Sequence, residues 1–63
     1  MINGKKIKER LLEKGMEEKE LAAAVGVSQA MITYIIKGLR DTTVTNAVRI
    51  ANALDCTVDE LIC

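Results

Sequence analysis

The sequence predicts an all-α protein, a compact bundle of five short helices. None of its 63 residues is proline, and the chain is rich in the helix-forming residues Ala, Leu, Lys and Glu. Apolar residues recur at spacings of three and four, which places them on one face of a helix. Because no segment alternates apolar and polar residues with a period of two, no strand is predicted.

The first helix is expected to begin at residue 3 or 4 and to run to about residue 14. Its apolar side consists of Ile7, Leu11 and Leu12, while lysines and glutamates cover the rest. Gly15 is the expected stop, because glycine readily adopts the left-handed conformation that ends many helices. Met16 is expected to fill the junction with the next helix.

The second helix is predicted over residues 17–24. Leu21 and Val25 lie four residues apart on one face, and Ala22 is small enough to let another helix approach closely. No Ser, Thr or Asp caps its start, although the glutamates in its first turn interact favourably with the helix dipole. Gly26 is expected to end the helix with a positive φ.

The third helix is predicted over residues 28–37, with Ser28 as its N-cap and Gly38 as its stop. Ile32, Ile35 and Ile36 form its buried stripe. Two short helices joined by a tight glycine turn are typical of a helix-turn-helix motif. Any small helical bundle contains apolar stripes, glycines that end helices and serines that begin them. This motif alone therefore leaves open whether the two helices bind DNA.

The fourth helix is predicted to begin at Thr42 or Thr43 and to form the long closing wall of the core. Asp55 stands where glycine is the usual stop, so this turn is expected to be slightly strained. The segment Thr57–Glu60 reads as a capping box that opens a fifth helix running to residue 63. The apolar stripe of the fourth helix comprises Val44, Ala47, Val48, Ile50, Ala51 and Leu54.

Composition narrows the class of protein. A chain of 63 residues is expected to form one domain, residues 1–63, near the lower size limit for a single core. No segment has membrane-spanning length, which predicts a soluble, cytoplasmic protein. Cys56 and Cys63 are expected to be reduced, and with no histidine a metal site, a cofactor and an enzyme activity are not predicted.

The net charge is zero, but the charges are unevenly distributed. Residues 1–14 carry five basic and two acidic side chains, a net charge of +3. Residues 15–27 carry one basic and three acidic side chains, a net charge of −2. Residues 28–49 carry three basic side chains and one acidic side chain, a net charge of +2. Residues 50–63 carry three acidic side chains and no basic one, a net charge of −3. Positive charge therefore accompanies the third helix, as expected for a face that meets phosphate.

The order of these signals closely resembles the Cro/C1-type helix-turn-helix family of phage and bacterial repressors. The resemblance implies a five-helix fold like the DNA-binding domains of the lambda and 434 repressors. It also implies a transcriptional regulator, usually a repressor, that binds double-stranded DNA as a homodimer on a pseudo-palindromic operator. The matching segments are Ile7–Glu9, Lys14–Met16, Leu21–Ala22, Val25–Ser28, Ile32, Tyr34–Gly38, Ile50–Leu54 and Thr57–Leu61.

The resemblance further implies that the third helix enters the major groove, where each base pair displays its own donor and acceptor pattern. The alternative is that its polar residues are simply a solvated helix face, and that Arg40 pairs with Asp41. The implied base-contacting residues are Gln29, Ala30, Thr33 and Tyr34. The implied phosphate-contacting residues are Ser28, Lys37, Arg40, Thr43 and Asn46.

Three positions depart from the family pattern. Glu17 and Glu18 replace a common Ser or Thr followed by Gln, and a carboxylate there would repel DNA. Leu11 and Ile36 replace an Arg–Glu pair found in many members, and they are expected to pack together. Thr42 replaces a frequent proline and is expected to loosen its loop.

Two further expectations concern partners. Leu39 and Val58 are apolar where the core does not clearly need them, so they are expected to contribute to a dimer interface. Nothing in the sequence indicates a pocket for a small-molecule effector. The alternative function is an antitoxin or protein-interaction module on the same fold, favoured by the two adjacent glutamates and the zero net charge.

Overall fold

The computed structural model of the protein describes residues 2–62 and shows an all-helical fold. The helix boundaries agree with the predicted ones to within one or two residues. The second and third helices form the predicted helix-turn-helix, with the first helix packed on the third and the fourth packed on the second. The elements are α1 (Gly4–Lys14), α2 (Glu18–Val25), α3 (Gln29–Ile36), α4 (Val44–Ala53) and a 3₁₀ turn, η1 (Val58–Leu61).

The predicted fifth α-helix is wrong, because η1 is a single 3₁₀ turn. The capping box is present: the amide of Thr57 donates to Glu60 Oε2 at 2.7 Å, and the amide of Glu60 donates to Thr57 Oγ1 at 3.4 Å. The helix does not continue, since Ile62 is extended and forms an antiparallel bridge with Ile2. The described chain thus has four α-helices.

The ends of the helices follow the predicted local signals. Ser28 and Thr43 cap α3 and α4, and each side-chain oxygen accepts an amide three residues later at 3.2 Å. Gly26 takes φ 87° and lets the chain turn sharply from α2 to α3. The start of α2 has a substitute for the missing cap: the amide of Glu17 donates to Glu20 Oε1 at 2.9 Å.

The core lies where the four α-helices and η1 meet. Val44 and Val48 of the predicted stripe are not part of it, since they are 71% and 42% exposed. They lie at the margin of the buried face of α4, and apolar spacing alone does not show where a stripe ends. The buried core residues include Ile7, Leu11, Leu21, Ala22, Val25, Ile32, Ile35, Ile50, Ala51, Leu54 and Leu61.

The remaining expectations on packing have mixed outcomes. Asp55 takes the left-handed conformation, with φ 55°, as expected from its place in the stop position. Leu11 is buried and Ile36 packs against the same core, so their direct contact stays a prediction. Cys56 is half-buried and free, and burial raises the pKa of its thiol. Cys63 lies outside the described residues.

No helix within residues 2–62 is both long and apolar enough to cross a membrane.

Candidate nucleic-acid interface

One face of α3 carries the four residues expected to contact bases. Taken together, their mean direction around the helix is roughly half a turn from that of the buried Ile32 and Ile35. Gln29 and Ala30 are exposed, and Tyr34 is 44% exposed. These three therefore present themselves to any partner that approaches α3.

Thr33, the fourth residue, is half-buried and already engaged. Its hydroxyl donates to Glu18 Oε1 at 2.7 Å, across the angle between α2 and α3. The other oxygen of Glu18 accepts from Lys8 Nζ at 3.3 Å. This hydrogen bond from Thr33 is the main cause that lowers the pKa of Glu18, with further contributions from Lys8 and Lys37.

The Glu18–Thr33 contact was not expected from the sequence. Glu18 stood out as a departure from the family pattern, but its partner lies 15 positions away on another helix. No sequence motif and no helical periodicity links two residues that are 15 positions apart on different helices. Only the crossing geometry of the two helices brings the groups together.

The expected phosphate-contacting residues lie at helix starts and in the α3–α4 loop. Ser28 and Thr43 are exposed N-caps whose oxygens accept backbone amides, so each hydroxyl hydrogen remains available to donate to phosphate. Asn46 is half-buried in the first turn of α4. Backbone amides at a helix start also point outward and favour anions.

Two basic residues follow α3: Lys37 is its C-cap and Arg40 lies in the loop that leads to α4. Both are exposed, and neither forms an ion pair with another residue of the described chain. Several other basic side chains are neutralised: Lys8 by Glu18, Arg10 by Glu60, Lys14 by Asp55 and Lys19 by Glu17. Much of the positive charge of residues 1–14 is thus compensated by ion pairs at the surface of the bundle, whereas the charges of Lys37 and Arg40 are available to a partner.

The loop between α3 and α4 is tied down by Asp41. Its carboxylate accepts from the amide of Thr42 at 2.9 Å and from the amide of Ile2 at 3.4 Å. The amide of Thr42 is the main cause that lowers the pKa of Asp41. This arrangement fixes the loop that carries Leu39 and Arg40 without involving the guanidinium of Arg40.

The two residues expected at a dimer interface differ in exposure. Leu39 is 69% exposed. Val58 instead packs partly against the core, so the expectation that the core does not need it is wrong. Val44, which follows the loop, adds an exposed apolar side chain, although its spacing predicts a core residue.

An open groove of about 420 Å³ lies between α1 and the start of α2 and reaches Gln29 of α3, and its lining also includes Glu18, Leu12 and Met16. The groove joins the start of α2 to the first turn of α3. Within residues 2–62 no three acidic or cysteine side chains cluster as metal ligands would.

The sequence matches a known protein family over nearly its whole length. A model of the helix-turn-helix family matches residues 7–61. No curated protein matches the chain significantly.

Solved structures share the fold over the whole bundle. The restriction-modification controller protein C.AhdI from Aeromonas hydrophila is 27% identical, with a TM-score of 0.89, and the match covers 94% of this chain and 89% of that one. SinR, a master regulator of biofilm formation solved in complex with DNA, is 28% identical with a TM-score of 0.87, covering 94% and 98%. The P22 c2 repressor, solved with a synthetic operator, is 24% identical with a TM-score of 0.91, covering 98% and 94%.

Proposed function

The chain belongs to the Cro/C1-type helix-turn-helix family of DNA-binding regulators, and we propose that it is a small transcriptional regulator that acts as a repressor. The observation that carries the proposal is the surface of α3. Gln29, Ala30 and Tyr34 are exposed on one face. Lys37 at the end of α3 and Arg40 in the following loop are exposed, and neither forms an ion pair within residues 2–62. Apolar, polar and basic groups are thus presented together on a helix that fits the major groove.

The proposed base contacts follow from the chemistry of each side chain. Gln29, in the first turn of α3, has a carboxamide that can pair with both N6 and N7 of adenine. The methyl group of Ala30 can contact the methyl group of thymine. Tyr34 lies one turn further along, where its hydroxyl can reach a base edge or a phosphate.

The proposed phosphate contacts hold α3 in register. Ser28 and Thr43 donate from their hydroxyls, Asn46 from its amide group, and the amides at helix starts add further donors. Lys37 and Arg40 contribute charge, and each phosphate that they neutralise releases counterions. Affinity should therefore fall as salt rises.

The same proposal includes a homodimer on a pseudo-palindromic operator. A single α3 reads few base pairs, and two copies related by a two-fold axis would read half-sites about 34 Å apart. The exposed side chain of Leu39, beside Arg40 in the α3–α4 loop, supports a contact between copies there. A regulator of this kind acts where the DNA is, in the cytoplasm, by binding and not by catalysis.

The test begins with selection of bound sequences from random DNA. Affinity for the selected site is then measured across a salt series for the wild type, for Lys37→Ala with Arg40→Ala, and for Lys14→Ala with Lys19→Ala. The first double variant should bind more weakly, with a salt slope reduced by about two, because each phosphate contact contributes about 0.9. The second removes the same charge from ion-paired positions and should retain the wild-type slope.

Other outcomes would favour the second candidate, a protein-interaction module or antitoxin on the same fold. No binding at low salt, or binding indifferent to salt, would contradict DNA recognition. The observation that favours this second candidate is the pair of carboxylates, Glu17 and Glu18, near the start of α3, because negative charge there repels DNA.

The dimer is tested by sedimentation at micromolar concentration with and without operator. Leu39→Asp should weaken self-association and leave folding intact, because the side chain is exposed. Val58→Asp is a poor probe, since Val58 packs against the core. A strict monomer on a two-fold site would contradict this part of the proposal.

A further inference from the structure

The contact between α2 and α3 fixes the hydrogen-bonding character of the centre of the α3 face. Thr33 lies one turn after Gln29 and one turn before Lys37. Its hydroxyl hydrogen points to Glu18 Oε1 at 2.7 Å. A hydroxyl has only one hydrogen, so the outward side of Thr33 retains lone pairs and a methyl group but no donor.

Glu18 is held in place from a second side as well. Lys8 Nζ contacts its other oxygen at 3.3 Å, and the side chain is only 23% exposed. The carboxylate is ionised at neutral pH, because the hydrogen bond from Thr33 and the nearby lysines lower its pKa. An ionised carboxylate accepts hydrogen bonds and donates none. Glu18 and Thr33 therefore form a surface that only accepts.

We propose that Glu18 and Thr33 act as one specificity-determining unit, which selects a base with an exocyclic amino group at the position facing Thr33. In the major groove, cytosine N4 and adenine N6 are donors, whereas guanine O6 and thymine O4 are acceptors. Placed against an acceptor-only surface, an amino group gains a hydrogen bond. A keto oxygen there meets lone pairs and a negative charge. This inference rests on the proposed function and assigns Glu18 a role beyond repulsion of DNA.

Glu18→Gln separates this role from simple electrostatics. A carboxamide can accept with its oxygen or donate with its nitrogen. With glutamine, the hydroxyl of Thr33 can turn outward and donate to a keto group. We expect higher overall affinity, because a negative charge is removed, together with loss of the preference for amino over keto bases.

Glu17→Gln is the matched control. Glu17 is the adjacent carboxylate and is exposed, and its ion pair is with Lys19, not with α3. Its substitution removes the same charge at nearly the same place but leaves the Glu18–Thr33 hydrogen bond intact. Affinity should rise for all sequences alike, with base preference unchanged.

The experiment uses the whole chain and its selected DNA site. Thr33→Val, or Thr33→Ala if the first does not fold, identifies the base pair that Thr33 faces. The affinities of the four base pairs at that position are then measured for the wild type, Glu18→Gln and Glu17→Gln. The wild type should favour cytosine or adenine over guanine or thymine by about tenfold, and Glu18→Gln should reduce this ratio to about two or less.

A preference for cytosine and a preference for adenine both support the inference, and the affinities measured for the four base pairs distinguish them. It is overturned if the wild type favours guanine or thymine there, if Glu18→Gln keeps the wild-type ratio, or if no position responds to Thr33. A wild type that selects no sequence contradicts the proposed function itself. A wild type that selects a site while Glu18→Gln keeps the ratio contradicts only this inference.

Discussion

Gly4 of α1 packs directly against the last turn of α3, at Ile36. A β-carbon on Gly4 would overlap the carbonyl oxygen of Ile36 and lie 2.6 Å from that of Ile35. Both neighbours are backbone atoms and cannot turn aside as a side chain would. The start of α1 and the end of α3 are therefore in contact only because position 4 has no side chain.

Gly4→Ala should destabilise the protein, although alanine is the better helix former. Backbone overlap must be relieved by moving α1 away from α3, which typically costs about 1–3 kcal/mol. In most helices the same change would stabilise by roughly 0.5–1 kcal/mol. Urea unfolding followed by circular dichroism measures the sign. The exposed neighbour Lys5→Ala serves as the control, and a more stable Gly4→Ala variant would contradict the packing.

Thr42→Val should stabilise the protein. The hydroxyl of Thr42 is buried and has no hydrogen-bond partner within residues 2–62. Removing an unsatisfied polar group from such a site should gain about 1 kcal/mol. Thermal unfolding should show a rise in Tm of roughly 4–8 °C.

Thr57→Val is the matched control for that change. The hydroxyl of Thr57 exchanges hydrogen bonds with Glu60, so the same substitution removes a cap and should cost about 1 kcal/mol. If Thr42→Val lowers Tm as Thr57→Val does, the hydroxyl of Thr42 is not an unsatisfied group.

Acid should destabilise the protein through carboxylates that are bonded in the folded state. The pKa of Glu18 is lowered chiefly by Thr33, that of Asp55 by Lys14 and that of Glu60 by the amide of Thr57. A lowered folded-state pKa gives stability that is present above the ordinary carboxyl pKa, about 4, and is lost as pH falls through the folded value.

The measurement is Tm as a function of pH from 7 to 2.5. The curve should be flat down to about pH 5 and should fall below pH 4. Glu60→Gln keeps an acceptor for the capping box but cannot titrate, so its acid branch should be shallower. An acid branch identical to that of the wild type would argue against Glu60 as a contributor.

Substitutions at Asp55 should separate backbone strain from the ion pair. Asp55 has φ 55° and pairs with Lys14. Asn tolerates the left-handed conformation but carries no charge, whereas Ala tolerates it poorly. We expect Tm to decrease in the order wild type, Asp55→Asn, Asp55→Ala. The difference in Tm between the two variants measures the cost of the left-handed backbone conformation, since neither side chain carries a charge. A higher Tm for Asp55→Ala than for Asp55→Asn would exclude backbone strain as the cause of the destabilisation.

The parts of the fold that depend on local chemistry were predictable from the sequence. Ser28 and Thr43 cap their helices because a short hydroxyl three residues before an amide is sufficient. Gly26 and Asp55 end helices at positions where the chain must turn. Each of these signals lies within a few residues of the structure that it specifies.

Features that depend on how helices cross were not predictable. The bond between Glu18 and Thr33 and the overlap at Gly4 require atoms brought together by the bundle. The exposure of Val44 has a similar origin, because it is set by which neighbours cover the edge of α4. For the candidate site, the sequence predicts which helix faces DNA, but it does not show that the hydroxyl of Thr33 is bonded to Glu18.

The bridge between Ile2 and Ile62 has a practical consequence for experiments on this protein. The amide of Asn3 also donates to the carbonyl of Leu61 at 2.7 Å, so the described ends of the chain leave the bundle from one point. That point adjoins the loop of Asp41, which accepts from the amide of Ile2. A purification tag or fluorescent fusion at either end would emerge beside Leu39 and Arg40. Binding assays should therefore use protein from which such additions have been cleaved.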